Sequence, residues 1–398
     1  MDRLHLVYAA IGTVGVLLAL ISRNIRRWPL SEPLVALVLG VVLGPRLLGL
    51  LEIDDALRDV LLLEGARLVL AGSVMAAALR FPASSLPSLV RPLVLLLAVV
   101  MPLAAAATGV AALLLGLPIA VAALVGACLS PTDPVLAASV VTGEPAERDL
   151  PARIRRLLTV ESGANDGLAL PLVGLAVAAV LPATGPGDVV VRLAWEVLAG
   201  AVVGVVAGVL GGRAIKKATR HRDLDGGSKL VFTLLLAVAV LGIARLAGTD
   251  GVLAVFVAGL AYNRMVGKHE RTPQDSLDEA VNRYAVLPLF LVFGAVLPWQ
   301  DWVAFGPAAL AFAAAVLLLR RPPFLLVLAR PLGLTWRDAT FVGWFGPMGV
   351  SALFYLAHSL DKGVADPRLF AAGSLAVAVS VVAFGVTASP GRNAYARS

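Results

Sequence analysis

Carboxylate and amide side chains interrupt an otherwise apolar segment near residue 166. The ten residues from Thr159 to Leu168 include Glu161, Asn165 and Asp166. A carboxylate at the centre of a bilayer costs at least about 2.5–3.5 kcal/mol on insertion scales, so an acid in a membrane span is first considered a functional group. Such a group needs a proton, a cation or a partner, and proton or cation transfer is therefore the chemistry that this segment suggests.

The composition of the chain places this segment in a membrane protein. Of the 398 residues, 59% are hydrophobic and 15% are charged, and the mean hydropathy is +0.89. We predict an all-α polytopic membrane protein, a single membrane domain over 1–398, with about 13 transmembrane helices long enough to cross about 30 Å of hydrocarbon. The predicted spans lie near 5–22, 30–49, 60–79, 92–116, 118–141, 156–181, 189–212, 229–247, 250–266, 284–299, 302–319, 337–359 and 369–389.

The lysine and arginine residues predict the orientation of these spans, because short loops rich in positive charge stay in the cytoplasm. With the N-terminus outside and the C-terminus in the cytoplasm, 25 of the 33 basic residues fall on the cytoplasmic side, seven fall outside and Arg67 lies within a span. The net charge of +7 then reflects topology and contact with anionic membrane lipid. It gives no indication of nucleic-acid binding.

The fifth predicted span contains a sequence that must break a helix, Leu129-Ser-Pro-Thr-Asp-Pro-Val135. Each proline removes an amide donor and clashes with the preceding turn. Irregular backbone survives at membrane depth only where it faces protein or a water-filled cavity, and its freed carbonyls can then bind a cation. At 1.5 Å per residue, Thr132 lies about 21 Å into its span and Asp166 about 15 Å into the next. Asp133 and Asp166 are therefore expected to meet near the midplane.

The polar residues of the sixth span share one face. At about 100° per residue, Ser162, Asn165 and Asp166 form a narrow stripe that Glu161 borders. A static hydrogen-bond network between helices is the alternative interpretation, and for Ser162 and Asn165 it is equally good. For Asp166 and Asp133 we favour function, because two acids beside a broken helix make a poor static network at neutral pH.

A second interrupted span occurs at Gly343-Trp-Phe-Gly-Pro-Met-Gly349, where glycines and a proline again break an apolar run near its middle. Two halves with one interrupted helix each are typical of an inverted-repeat transporter. We predict a first repeat over about 5–181, a linker helix at 189–212 and a second repeat over about 229–389. The alternative is that the glycines merely allow close helix packing.

These motifs together resemble a known family. Ser130-Pro-Thr-Asp-Pro134 followed by Glu161-Ser-Gly-Ala-Asn-Asp166 is similar to the paired signature of sodium/proton antiporters of the cation/proton antiporter superfamily. The resemblance runs from about residue 64 to residue 349 and implies twelve or thirteen helices, a six-helix core that moves against a dimerisation domain, and a homodimer. It is nearest to the fungal plasma-membrane type through Glu64-Gly-Ala-Arg67, Pro151-Ala-Arg-Ile-Arg155 and Phe341-Val-Gly-Trp-Phe-Gly-Pro347.

The resemblance also implies a site. Asp166 would hold a cation and a proton alternately, and Thr132, Asp133, Ser162 and Asn165 would complete or support the site. The transported alkali cation would bind to Asp166, Thr132 and Ser162. Related electrogenic exchangers carry a second aspartate at the position of Asn165, so the asparagine implies electroneutral exchange.

Two departures from bacterial members affect this expectation. An acid often found late in the third span corresponds to the apolar residues Met75 to Ala78, so the cation must find ligands elsewhere. Where many relatives have an arginine, this chain has Met348, which leaves Glu161 without its usual ionic partner. We expect Arg67 or Arg321 to replace it, because an unpaired buried carboxylate is expensive.

We assign no chemical role to a few charged residues. Glu64 and Arg67 are three residues apart and are expected to form a local ion pair. Others lie near span ends, where snorkelling to the interface is the cheaper explanation. These are Asp250, Arg245, Glu196, Arg192 and His358.

The sequence thus predicts an electroneutral antiporter in the plasma (inner) membrane that exchanges cytoplasmic Na+, with Li+ and K+ as alternatives, for external protons. It predicts no enzymatic activity and no resident cofactor. A proton-coupled organic-solute carrier and a cation channel remain as alternatives. An intramembrane aspartyl protease also uses two acids, but Asp133 and Asp166 lack the glycine-x-glycine-aspartate pattern of such proteases.

Overall fold

All regular elements that the structure describes are helices. The structure is a computed structural model, and it describes residues 31–80, 86–181, 186–220, 226–267, 276–277 and 279–397, with six isolated positions before residue 17. The helices, in chain order, are α1 (Glu32–Leu43), α2 (Asp55–Arg80), α3 (Leu86–Leu95), α4 (Met101–Ala112), α5 (Ile119–Cys128), α6 (Pro134–Val141), α7 (Gly143–Asp149), α8 (Ala152–Val180), α9 (Pro186–Arg220), α10 (Gly226–Leu246), α11 (Gly251–Met265), α12 (Val286–Ala295), α13 (Trp299–Ala304), α14 (Pro307–Leu319), α15 (Pro322–Val327), α16 (Ala329–Leu332), α17 (Trp336–Trp344), α18 (Val350–Asp361) and α19 (Pro367–Arg397).

These helices agree with the predicted spans wherever the two can be compared. The span predicted at 5–22 lies outside the described residues, and each of the other twelve coincides with one or two helices. Within the described ranges, seven helical runs are long and apolar enough to cross a membrane on their own. The chain is therefore a multi-pass membrane protein, and the count of thirteen spans stays a prediction.

Prolines and polar caps determine where several helices begin. The α6 helix starts at Pro134, with Asp133 as its N-cap, and a proline in the first turn has no amide to leave unsatisfied. At α17, Thr335 and Asp338 form a capping box. A π-helical turn, Leu96–Val100, joins α3 to α4 and ends two residues before Pro102.

Small residues bring the helix backbones close together. A Cβ atom on Gly204 or Gly208 of α9 would lie within 2.4 Å of backbone oxygens in α11. The α1 and α12 helices meet in the same way at Gly40 and Gly294. Membrane helices associate through this kind of close approach, because lipid supplies no hydrophobic drive between them. The α2 helix is mostly buried, whereas α9 exposes most of its apolar surface.

Contacts between distant segments group the helix ends as the topology predicts. Arg153 donates to the Gly333 carbonyl at 2.7 Å, and the Tyr395 hydroxyl donates to Asp338; all four residues lie on the predicted cytoplasmic side. Arg368 donates to the carbonyl oxygen of Gly116 at 3.2 Å, and both are predicted outside. The contacts support the grouping of these ends, and they do not distinguish inside from outside.

Candidate functional site

Two helix breaks cross in the interior of the protein. The first break, Leu129–Asp133, separates α5 from α6, and the second, Phe345–Gly349, separates α17 from α18. The Asp133 amide donates to the Pro347 carbonyl at 2.9 Å, which joins the two breaks directly. The interruptions predicted from prolines and glycines in the sequence are therefore real, and they lie against each other.

Asp133 caps the half-helices on both sides of this crossing. Its Oδ1 accepts hydrogen bonds from the amides of Val135 at 2.7 Å and Leu136 at 3.0 Å, and its Oδ2 accepts one from the amide of Val350. Negative charge is favourable at helix N-termini, and here one carboxylate serves two of them. Both carboxylate oxygens of Asp133 thus accept hydrogen bonds from backbone amides, and this carboxylate holds the helix ends in place.

Arg320 complements Asp133 at the opposite helix ends. Its guanidinium is buried and donates to the carbonyls of Leu129 at 2.8 Å, Ser130 at 3.2 Å and Pro131 at 3.2 Å. It also donates to the carbonyl of Gly346 in the other break. These carbonyls have no intrahelical partner because the helices stop there. The sequence interpretation counted Arg320 only as a cytoplasmic loop charge; the pair Arg320-Arg321 followed by two prolines was the available signal.

Glu161 pairs with Arg321 in the interior. The Arg321 guanidinium donates to both carboxylate oxygens of Glu161, and the bond to Oε2 is 2.7 Å long. The Glu161 side chain is 2% exposed and the Arg321 side chain 4%. Arg67 pairs instead with Glu64, which is half exposed. Of the two partners considered for Glu161, the structure therefore places Arg321 beside it and Arg67 elsewhere.

Thr132 connects the first break to the polar stripe of α8. The Asn165 amide nitrogen donates to Thr132 Oγ1 at 2.7 Å, and the hydroxyls of Thr132 and Ser162 lie 3.1 Å apart. All three side chains are buried. The predicted site residues Thr132, Ser162 and Asn165 thus form one hydrogen-bonded group beside Asp166.

Asp166 differs from Asp133 and Glu161 because, in the part of the chain that the structure describes, its carboxylate has neither a backbone amide nor an arginine as a partner. The residue is completely buried, and neither carboxylate oxygen has a hydrogen-bond partner among the residues that the structure describes. Its backbone carbonyl accepts a hydrogen bond from the Tyr355 hydroxyl, which fixes the helix at this point. A buried carboxylate without donors is costly, so its charge must be balanced by a proton or a cation.

The third predicted span, which lies within α2, supplies no acid to this site, as expected from the sequence. Met75, Ala76, Ala77 and Ala78 are all buried and apolar. Within the described residues, no group of three or more histidine, cysteine, aspartate or glutamate side chains could hold a metal ion. One free carboxylate among hydroxyl and amide oxygens is a ligand set of low charge, which suits a monovalent cation better than a divalent one.

Two residues expected to snorkel are buried inside the protein. Asp250 and His358 expose only 4% and 6% of their surface. Asp250 is the N-cap of α11 and accepts from the amides of Val252 at 2.9 Å and Leu253 at 3.1 Å. The expectation was wrong for these two residues because an N-cap requirement and close helix packing hold them inside.

Secondary transporters bind small ions at a buried polar site beside broken helices, and the buried Asp166 carboxyl beside two crossed helix breaks is an arrangement of that kind. The match to known proteins agrees with that class: residues 13–391 match the family model described as sodium/hydrogen exchanger, transmembrane. The chain therefore belongs to the sodium/hydrogen exchanger family, which is a family of transporters.

Individual relatives support the same assignment. The chain is 31% identical over 369 residues to Na(+)/H(+) antiporter 2 of Zygosaccharomyces rouxii, covering 88% of this chain and 45% of that protein. It is 24% identical over 248 residues to a K(+)/H(+) antiporter of Shewanella oneidensis, covering 62% of this chain and 42% of that protein. The chain thus spans less than half the length of these curated relatives.

The fold is also that of a solved antiporter. The structure of the sodium proton antiporter MjNhaP1 from Methanocaldococcus jannaschii aligns with a TM-score of 0.73 at 17% identity, covering 98% of this chain and 96% of that one. The predicted sodium/proton antiporter fold is therefore confirmed.

Proposed function

We propose that this protein is a secondary antiporter that exchanges an alkali cation for a proton at Asp166. The observation that carries the proposal is the Asp166 carboxylate, which is fully buried and has no hydrogen-bond partner in the described part of the chain. It lies beside two crossed helix breaks, where a transporter binds its ion.

Exchange follows from competition for one carboxylate. The carboxylate holds either a proton or a partly dehydrated alkali ion, and each load removes the charge that makes the buried site costly. A site that opens alternately to the two sides of the membrane then carries one ion outward and the other inward. Asp133 and Glu161 take no part in the exchange, because backbone amides and Arg321 already occupy their oxygens.

The stoichiometry and the ion are the finer parts of the proposal. Asn165 stands next to Asp166 and cannot titrate, so one proton is exchanged for one cation and transport is electroneutral. Sodium is the first candidate and lithium and potassium are the alternatives, since the named relatives include both Na(+)/H(+) and K(+)/H(+) antiporters.

We place the protein in the plasma (inner) membrane as a homodimer, with its N-terminus outside and its C-terminus in the cytoplasm. The distribution of basic residues supports this orientation. The α9 face that carries Val191, Leu198 and Val202 is apolar and exposed, which suits lipid or a second copy. The proposal includes no enzymatic activity and no resident cofactor.

Family membership favours antiport over the alternatives. A channel would conduct a cation without moving a proton in exchange. An organic-solute carrier would need recognition groups for the solute, whereas the polar side chains at Asp166 are small hydroxyls and an amide.

The test uses acid-loaded proteoliposomes that contain wild type or Asp166→Asn. We expect proton efflux when sodium, lithium or potassium is added to wild type, and none with the variant. Equal efflux from both proteins would refute the assignment of Asp166, and no response of folded wild type to any alkali cation would favour the solute-carrier alternative.

A further inference from the structure

Four buried side-chain oxygen atoms in or next to the Asp166 site have no hydrogen-bond partner within the described ranges. They are the two carboxylate oxygens of Asp166, the amide oxygen of Asn165 and the hydroxyl oxygen of Ser351. Buried polar atoms are satisfied in nearly all native proteins, and each exception calls for an explanation such as an ion or a water molecule. Three of the four belong to residues that the sequence motif already indicates, and Ser351 is the new one.

Ser351 reaches the site from the opposite broken helix. It is the second residue of α18, directly after the second break, and is completely buried. Tyr355, one turn further along the same face of α18, donates to the Asp166 backbone carbonyl, which brings the Ser351 hydroxyl next to the Asp166 carboxyl. The two groups form no hydrogen bond of good geometry. The preceding residue, Val350, has an apolar side chain, so the Ser351 hydroxyl is the first side-chain oxygen of α18 that could bind a cation.

The electrostatics of the α18 N-terminus permit a cation here. A helix N-terminus carries a partial positive charge that would repel a cation. In this protein the Asp133 carboxylate accepts the Val350 amide and offsets that charge. The hydroxyl oxygen of Ser351 can therefore act as a neutral ligand beside the anionic carboxylate of Asp166.

The site also needs such a ligand. The third span contributes only apolar side chains from Met75 to Ala78. Thr132 Oγ1 already accepts a hydrogen bond from Asn165 at 2.7 Å, which leaves it less capacity for an ion. The free oxygens that remain in the described site come from Asp166, Asn165 and Ser351.

We propose that Ser351 is a specificity-determining ligand of the transported alkali cation, which is held between α8 and the N-terminus of α18. The proposal rests on the proposed function and adds a residue to its site. A hydroxyl suits both loads, because its oxygen can face the cation or accept a hydrogen bond from protonated Asp166. Its effect depends on ion size, because ion selectivity varies with the number and strength of coordinating oxygen dipoles.

The test compares Ser351→Ala with wild type in reconstituted exchange, with lithium, sodium and potassium measured separately. We expect KM for sodium to rise about tenfold, as for the loss of a polar contact to a charged group, with a smaller change in kcat. The rise should be larger for lithium than for potassium, because the smaller ion gains more from each oxygen. Ser351→Thr keeps the hydroxyl and should restore the sodium KM toward wild type.

The control is Ser359→Ala, on the same helix. Ser359 is equally buried, but its hydroxyl donates to the Tyr355 carbonyl at 2.8 Å. The control should leave the order of the three cations unchanged. If Ser351→Ala and Ser359→Ala alter the three KM values alike, or if neither does, Ser351 is not a ligand.

Cation-dependent thermal stabilisation of the purified protein in detergent gives a second readout that does not require transport. A bound ion stabilises the folded state, so Ser351→Ala should need about tenfold more sodium than wild type for the same shift. Unchanged sodium dependence would overturn the proposal even if transport were impaired. Failure of wild type to exchange any cation would instead count against the proposed function.

Discussion

Asp133, Glu161 and Asp166 carry the same carboxyl group, and their partners give them different roles. Asp133 accepts backbone amides from two half-helices, and Glu161 forms a bidentate pair with Arg321. Asp166 has neither kind of partner among the described residues. Of these three acids, only the Asp166 carboxylate is without such a structural role among the described residues, as the proposed exchange at this group requires.

The Glu161–Arg321 pair predicts a large effect on stability. Glu161→Ala leaves a guanidinium buried and unpaired, which should cost about 3–5 kcal/mol. Ser162→Ala, on the same helix, removes one hydroxyl contact and should cost about 1 kcal/mol. Thermal unfolding in detergent measures both. The double variant Glu161→Leu/Arg321→Met should be more stable than Glu161→Ala, and equal stability of Glu161→Ala and wild type would exclude a structural pair.

Substitution of Asn165 tests whether this side chain makes the proposed exchange electroneutral. Asn165→Asp places a second titratable acid next to Asp166 and removes the amide donor to Thr132. We expect exchange to become electrogenic, so that an imposed membrane potential changes its rate, while wild type remains insensitive. Sodium-driven exchange in proteoliposomes, under a membrane potential imposed without a gradient of any alkali cation, provides the measurement. Potential-dependent exchange by wild type would contradict the electroneutral assignment.

At the scale of elements, two interrupted helices form the site, and two charged side chains stabilise the helix ends at the interruptions. Asp133 offsets the N-termini of α6 and α18, while Arg320 satisfies carbonyls in both breaks. The irregular backbone is thus satisfied inside the protein, as membrane depth requires. Among the described residues, Asp133 and Arg320 make these contacts and the Asp166 carboxylate makes none of them.

Close packing at the crossing predicts a strict requirement for Gly349. A Cβ atom at this position would lie 2.4 Å from Asp133 Oδ2, so Gly349→Ala should push the cap apart and cost about 1–3 kcal/mol. Gly242→Ala in α10 is the control, because a Cβ atom there meets nothing within 4 Å. Transport and thermal stability should fall for the first variant only. Wild-type behaviour of Gly349→Ala would contradict the described crossing.

Features that depend on local sequence could be predicted, whereas those that depend on contacts between distant segments could not. Prolines and glycines break helices locally, so both breaks were visible in the sequence, and the stripe of Ser162, Asn165 and Asp166 followed from helical periodicity. The roles of Arg320 and Ser351 depend on contacts between segments far apart in the chain. Local patterns carry no information about such contacts, and Arg320 accordingly looked like a loop charge.

At the scale of the whole molecule, the proposed orientation rests on the distribution of basic residues, and the close helix packing rests on small residues. Long-range contacts group the ends of the helices into two sets, one around Gly333 and the other around Gly116. Family membership explains the overall architecture, and the 17% identity to MjNhaP1 means that the fold persists through extensive sequence change.

The orientation can be tested with cysteine labelling, because the single cysteine, Cys128, is buried. Lys362→Cys and Arg330→Cys each add a thiol at an exposed position, predicted outside and inside respectively. A membrane-impermeant maleimide added to intact cells should label the first variant and not the second. Labelling of both after permeabilisation is the control, and the reverse pattern would invert the topology.

The central claim, that a cation and a proton compete for Asp166, is tested most directly by proton release from the purified protein. Sodium or lithium is added to wild type in weakly buffered detergent solution across the neutral pH range, and Asp166→Asn and choline chloride serve as controls. We predict saturable release of up to one proton per chain from wild type and none from the variant. Cation binding without proton release, or equal release from both proteins, would contradict the account.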